Sequence, residues 1–101
     1  MFGDMLGKLQ EMQQKMQESK DRLSEIRVTG EAASSAVKVT MDGNRKMISI
    51  EIEPYMCLPE RKEELEDFIV VATNRALEQA EKKWEEEMKG SAGNLLSKLG
   101  M

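Results

Sequence analysis

Phe2, Met5, Leu9, Met12, Met16, Leu23 and Ile26 follow an alternating +3/+4 spacing, with Ser19 in the one polar slot. This 3.5-residue period predicts a helix over about residues 4–26 whose apolar seam meets another helix. Such a helix is about 33 Å long, whereas a small sheet with strands of five or six residues stands about 17–20 Å tall. Part of the seam therefore overhangs any sheet the chain can build, and a second copy is expected to cover it. On this reading Met5, Leu9, Met12, Met16, Leu23 and Ile26 form a dimer interface.

From Arg27 to Glu53 the period changes to two. Val37, Val39 and Met41 alternate with Lys38 and Thr40, and Ile48, Ile50 and Ile52 alternate with Ser49, Glu51 and Glu53. Each run predicts a strand with one buried and one wet face. Asp42-Gly43-Asn44 supplies the hairpin turn between them. A shorter strand at Val28–Ala32 is expected to pair ahead of them, through an Ala33-Ser34-Ser35 connector. Pro54 ends the sheet and Pro59 opens a second helix, over about Glu60 to Lys89. Glu60, Glu63 and Glu64 suit the dipole of its first turn. Leu65, Phe68, Ile69, Ala72, Ala76, Ala80, Trp84 and Met88 line one face of that helix, and Phe68–Ala72, apolar nearly all round, is expected to be buried. Gly90-Ser91-Ala92-Gly93 predicts the helix end and a flexible tail over 90–101, in which Leu95, Leu96 and Leu99 could dock as one helical turn.

The expected fold is α+β: a long N-terminal helix, a three-stranded antiparallel sheet and a long C-terminal helix. Residues 1–89 form a single domain within an intertwined two-fold homodimer with protruding helical arms.

Composition narrows the chemistry. The 101 residues hold no His and one Cys, so zinc sites and Ser-His or Cys-His catalytic pairs lack their parts. Cys57 has no internal disulfide partner and reads as a small buried hydrophobe. No secretory h-region and no membrane-length apolar run is present, which predicts a cytoplasmic protein. The net charge of −4 is uneven: residues 1–50 carry 8 basic and 7 acidic side chains, residues 51–101 carry 7 and 12. A local basic stripe is then the only route to a polyanion. With Phe2 at heptad position a, Lys8, Lys15 and Arg22 fall at g, Lys20 and Arg27 at e, and Asp4, Glu11, Glu18 and Glu25 at c. The g and e flanks could face phosphates. Alternatively, Asp4–Lys8, Glu11–Lys15 and Glu18–Arg22 are favourable i,i+4 pairs worth about 0.2–0.5 kcal/mol each, as are Glu78–Lys82 and Glu85–Lys89 on the second helix. Lys20 and Arg27 have no acid at that spacing within their helix. Glu51 and Glu53 share a strand face but have no nucleophile beside them, and a wet face accounts for them.

The ordered set of short motifs is similar to the YbaB/EbfC family of bacterial nucleoid-associated proteins. Gln10-Glu11-Met12-Gln13-Gln14-Lys15-Met16-Gln17 resembles its first helix. Val28-Thr29-Gly30-Glu31-Ala32, Val37-Lys38-Val39-Thr40 and Asp42-Gly43 resemble its sheet, Ile52-Glu53-Pro54 its strand end, and Leu65-Glu66-Asp67 through Asn74 and Ala76 its second helix. The resemblance runs over about residues 5–88. It implies a cytoplasmic, nucleoid-associated homodimer shaped like tweezers that binds double-stranded DNA with little sequence preference, without catalysis, cofactor, small-molecule substrate or membrane contact. Ala33-Ser34-Ser35-Ala36 stands where the family often has glycines. The family motifs do not fix the phosphate contacts; stripe geometry nominates Lys8, Lys15, Lys20, Arg22, Arg27, Lys82 and Lys83. A different function stays open on composition: a small acidic homodimeric chaperone or adaptor that offers its nine methionines to a protein partner. A membrane-surface helix at residues 2–16 is disfavoured by the acidic stripe.

Overall fold

The heptad run forms α1 (Phe2–Glu25), which leads directly into β1 (Arg27–Ala32), β2 (Val37–Asp42) and β3 (Met47–Ile52). Two 3-10 turns, Pro54–Cys57 and Pro59–Arg61, precede α2 (Lys62–Lys98). This computed structural model describes residues 2–98, and side chains as far as Gly90. The three strands form one antiparallel meander in the order β1-β2-β3. Gly30 lies opposite Val39, and Val39 opposite Ile50. The register shifts between Thr40 and Met41, which pair with Ser49 and Met47 and leave Ile48 as the extra residue of a bulge.

α2 lies on β1 and β2. Val28, Ala32, Val37, Val39 and Met41 meet Ala72, Ala76 and Ala80 in one core. Alanines at i, i+4 and i+8 give the helix a smooth face, and Gly30 beneath them has no side chain to hold it off. A Cβ at Gly30 would stand 2.2 Å from the Ala72 carbonyl oxygen and the Ala76 nitrogen. The closeness of helix and strand thus depends on one glycine.

α1 leaves this body as an arm. Exposure along its seam falls from 84% at Phe2 through 54% at Leu9 and 44% at Met16 to zero at Leu23. The molecule is 68 Å long and 21 Å across at its next widest. Leu23 is therefore core of its own subunit, where a side chain at Gly43 would collide with it. Ile26 also packs on the core. Of the seam predicted as dimer interface, Leu23 is filled by the subunit itself, because the β2–β3 turn folds back on the end of α1, while Ile26 is half-buried.

Four other expectations change. Val70 is 58% exposed and Val71 is also open, so Phe68–Ala72 is buried on one side only. Ile48 and Ile50 are open rather than buried, because α2 does not reach over β3. Cys57 is exposed, while its neighbour Met56 fills the space beneath the first 3-10 turn. Finally, α2 starts at Lys62 and its backbone continues through Gly90 and Gly93 to Lys98. Each glycine costs a helix only about 1 kcal/mol, and no proline follows to stop it. The expected docking of Leu95, Leu96 and Leu99 and the flexible tail lie outside the described residues and side chains.

Candidate nucleic-acid interface

The arm and its root carry the candidate residues. On α1, Lys15 stands 3.9 Å from Glu11, the one predicted i,i+4 pair that forms. Among the described residues no carboxylate lies within 4 Å of the Lys8, Lys20 or Lys82 ammonium groups, so these cations are held only by solvent. Lys83 pairs with Glu86 at 3.7 Å. The exposed Lys83–Glu86 pair contributes little to stability.

Two arginines nominated for phosphate contact have other work. Arg22 does not turn to Glu18. Its Nε donates to Glu87 Oε1 at 2.8 Å, its Nη2 donates to the same oxygen, and Nη2 also donates to Ser19 Oγ at 3.2 Å. Ser19, fully buried, is thus the polar slot of the heptad because α2 crosses there. Arg27 Nη1 donates to the carbonyls of Ser24 (2.7 Å) and Ile26 (3.1 Å), so it closes the C-terminus of α1. Both arginines fix the arm to the body.

The Arg22 hydrogen bond holds the Glu87 carboxyl below its ordinary value of 4.5; burial opposes this and a Ser19 hydrogen bond adds to it. The same bond raises Arg22. A depressed carboxylate contributes stability that is complete above the unfolded-state value and is lost as pH falls through the folded-state value. The thermal midpoint of Glu87→Gln is therefore expected to lie below wild type at pH 7, with the gap closing as pH drops below about 4.5. A gap that stays constant down to about pH 3 would show that Glu87 carries no charge-dependent clamp.

The β2–β3 turn completes the root. Asp42 is buried, and its carboxylate accepts from the Asn44 (2.8 Å) and Lys46 (3.0 Å) backbone N–H groups. Gly43 N donates to Leu23 O at 2.8 Å and Asn44 Nδ2 to Lys20 O at 2.9 Å, which caps α1 from outside. Arg45 lies over Trp84 of α2, 5.2 Å from the ring centroid. The turn therefore brings Arg45 and Lys46 to the level of Lys20 and Trp84. Sequence reading missed both cations; the Asp-Gly-Asn signal placed the turn, but only tertiary contact shows where its next residues go.

Elsewhere the surface offers little chemistry. An open groove of about 550 Å³ follows the outer edge of β1, lined by Arg27, Thr29, Glu31, Arg75 and Glu78. Its charges balance, and Arg75 Nη1 donates to Glu31 O at 2.7 Å, covering part of the unpaired edge. Among the described residues no cluster of three His, Cys, Asp or Glu side chains could hold a metal ion, and no helix is long and apolar enough to cross a membrane.

The chain is similar to known proteins over nearly its full length. It is 35% identical over 94 residues to a nucleoid-associated protein of Afipia carboxidovorans, covering 93% of this chain and 90% of that one. It is 42% identical over 76 residues to a nucleoid-associated protein of Flavobacterium johnsoniae, covering 75% and 70%. Its fold matches the crystal structure of an uncharacterized Helicobacter pylori protein with a TM-score of 0.65, at 20% identity, over 87% of this chain and 98% of that one. The sequence profile described as the YbaB/EbfC DNA-binding family matches residues 1–95, and to that family this chain belongs.

Proposed function

We propose that the chain is a homodimer that holds double-stranded DNA through non-catalytic contacts to phosphates, with low sequence preference, in the bacterial nucleoid. Family membership supports DNA as the partner, and two relatives are named nucleoid-associated proteins. The observation that carries the reading is the arm itself: a helix standing off the body, with Lys8 and Lys20 open to solvent. No aromatic side chain lies along α1 beyond Phe2, so base stacking has no platform there and backbone contact remains.

The dimer is supported by apolar surface that one subunit leaves uncovered. On α2, Arg75 and Glu78 face the outer edge of β1. Trp84 lies on the opposite flank, against the turn that enters β3. At 100° per residue Val70 and Leu77 share the Trp84 flank. Because α2 lies on β1 and β2, β3 with its open Ile48 and Ile50 is on this same side of α2, and the exposed apolar surface of the two elements outlines a valley between them. A second copy packed there by two-fold symmetry covers both valleys and brings the Met5, Leu9, Met12 and Met16 seams under one another's reach.

Charge reversal tests the DNA reading. The double variant Lys8→Glu, Lys20→Glu changes four sites per dimer while leaving the core untouched. Its affinity is expected to fall by more than about a hundredfold at low salt, equally on two unrelated duplexes, with the dimer intact by light scattering. Unchanged affinity, or a loss limited to one sequence, would contradict contact with the backbone.

A further inference from the structure

The loop Gly43-Asn44-Arg45 is closed by Asp42 N donating to Lys46 O (2.9 Å) and Arg45 N donating to Asp42 O (3.2 Å). In a three-residue hairpin loop the last position is left-handed and usually glycine. Here it is Arg45, with φ 68°. An arginine in that conformation is strained where glycine would not be. Strain of this kind points to a side chain needed for something other than the turn.

The surroundings of Arg45 indicate what that is. Its guanidinium lies over Trp84, the one tryptophan of the chain. Over the ring, the guanidinium spends none of its N–H groups on an acceptor among the described residues, so the fork that grips a phosphate with two parallel hydrogen bonds stays available. Arg45 is exposed, and among the described residues no carboxylate lies within 4 Å of it. Its loop neighbours are tied to α1 through Lys20 O and Leu23 O, so its position relative to the arm is fixed. Arg22 and Arg27, the arginines at the end of α1 and the start of β1, are committed to Glu87 and to the Ser24 and Ile26 carbonyls.

We infer that Arg45 is a phosphate-contacting residue, held ready by Trp84, and that the β2–β3 turn is a DNA-contacting element at the root of the arm in addition to the arm itself. This rests on the DNA-binding reading above. A guanidinium already immobilised on a ring gives up less side-chain freedom on binding than a free lysine does.

The test compares full-length dimers of wild type, Arg45→Gly, Trp84→Leu and Lys62→Ala in salt titrations of binding to two unrelated duplexes. Arg45→Gly adopts φ 68° without strain and keeps its fold by circular dichroism. Its slope of log K against log salt is expected to be shallower than wild type by about 2, one contact per subunit at about 0.9 each. Trp84→Leu keeps the charge; its slope is unchanged and its affinity falls about threefold. Lys62→Ala removes a cation about 33 Å along α2 from Trp84 and leaves the slope at the wild-type value. Trp84 emission in the wild type shifts on saturation with DNA. A steep wild-type slope that Arg45→Gly leaves unaltered overturns this inference alone and makes Arg45 a prop for Trp84. A flat wild-type titration removes the DNA reading and this inference together.

Discussion

Gly30→Ala is expected to leave the chain largely unfolded at 25 °C. The added methyl would stand 2.2 Å from Ala72 O and Ala76 N and 2.9 Å from Ala76 Cα. These are backbone atoms of a helix, so no rotamer change relieves the collision. α2 would have to lift off β1, and Ala72, Ala76 and Ala80, all fully buried, would lose their contact with the sheet. Overpacking of flexible cores costs about 1–3 kcal/mol; a rigid backbone clash belongs above that range, against a total stability of about 5–15 kcal/mol for a domain. Urea denaturation followed by circular dichroism measures it. Gly7→Ala is the control: nothing lies within 4 Å of its Cβ, so it is expected to stabilise α1 by about 0.5–1 kcal/mol. A Gly30→Ala protein with the wild-type midpoint would mean that helix and strand are not in the contact described.

Ile50→Asp is expected to convert the proposed dimer to a folded monomer. Ile50 pairs with Val39 across the sheet yet is 41% exposed in the single subunit, so an aspartate there can still reach water when the chain is alone. In the dimer that exit closes. Symmetry doubles the loss, since each interface contains both copies of the site. Forfeiting the burial of the exposed part of two isoleucines, about 0.6–1.2 kcal/mol each, with the larger cost of two desolvated carboxylates besides, weakens association by more than about a thousandfold. Separated arms also lose their shared grip, so DNA affinity falls with the dimer. Sedimentation of Ile50→Asp as a dimer would show that the valley between α2 and β3 is not the interface.

How much of this is written locally differs between elements. The 3.5-residue seam from Phe2 to Met16, the alternation at Val37–Met41 and the Ala72-Ala76-Ala80 face each repeat a period within a few residues, and each forms the element that its period predicts. Leu23 and Ser19 have the right periodicity but a different destination. Their burial is decided by Gly43 and Glu87, which are distant in sequence. The same holds for Arg22: a local rule favours Glu18, while the crossing of α2 offers Glu87 beside the buried Ser19. Ile48, Ile50, Val70 and Val71 show the converse. Their apolar character predicts burial, and one subunit does not supply it. The connector Ala33-Ser34-Ser35 holds three successive left-handed residues, with φ of 54°, 53° and 73°, which explains why glycine suits this place in the family. Here Ser35 Oγ offsets part of that strain by donating to Glu31 Oε2 at 2.9 Å.

Of the nominated cations, the structure separates those that hold the arm from those that are free to act. Arg22 and Arg27 hold it; Lys8 and Lys20 project from it. This division makes a quantitative statement about DNA binding possible. With Lys8 and Lys20 from two subunits, and Arg45 from each besides, about four to six phosphates are neutralised, and log K should fall against log salt with a slope of about −4 to −5, alike on two duplexes of unrelated sequence. Affinity that does not change between about 50 and 200 mM salt, or that is absent at low salt, would contradict a dimer gripping the DNA backbone with its arms.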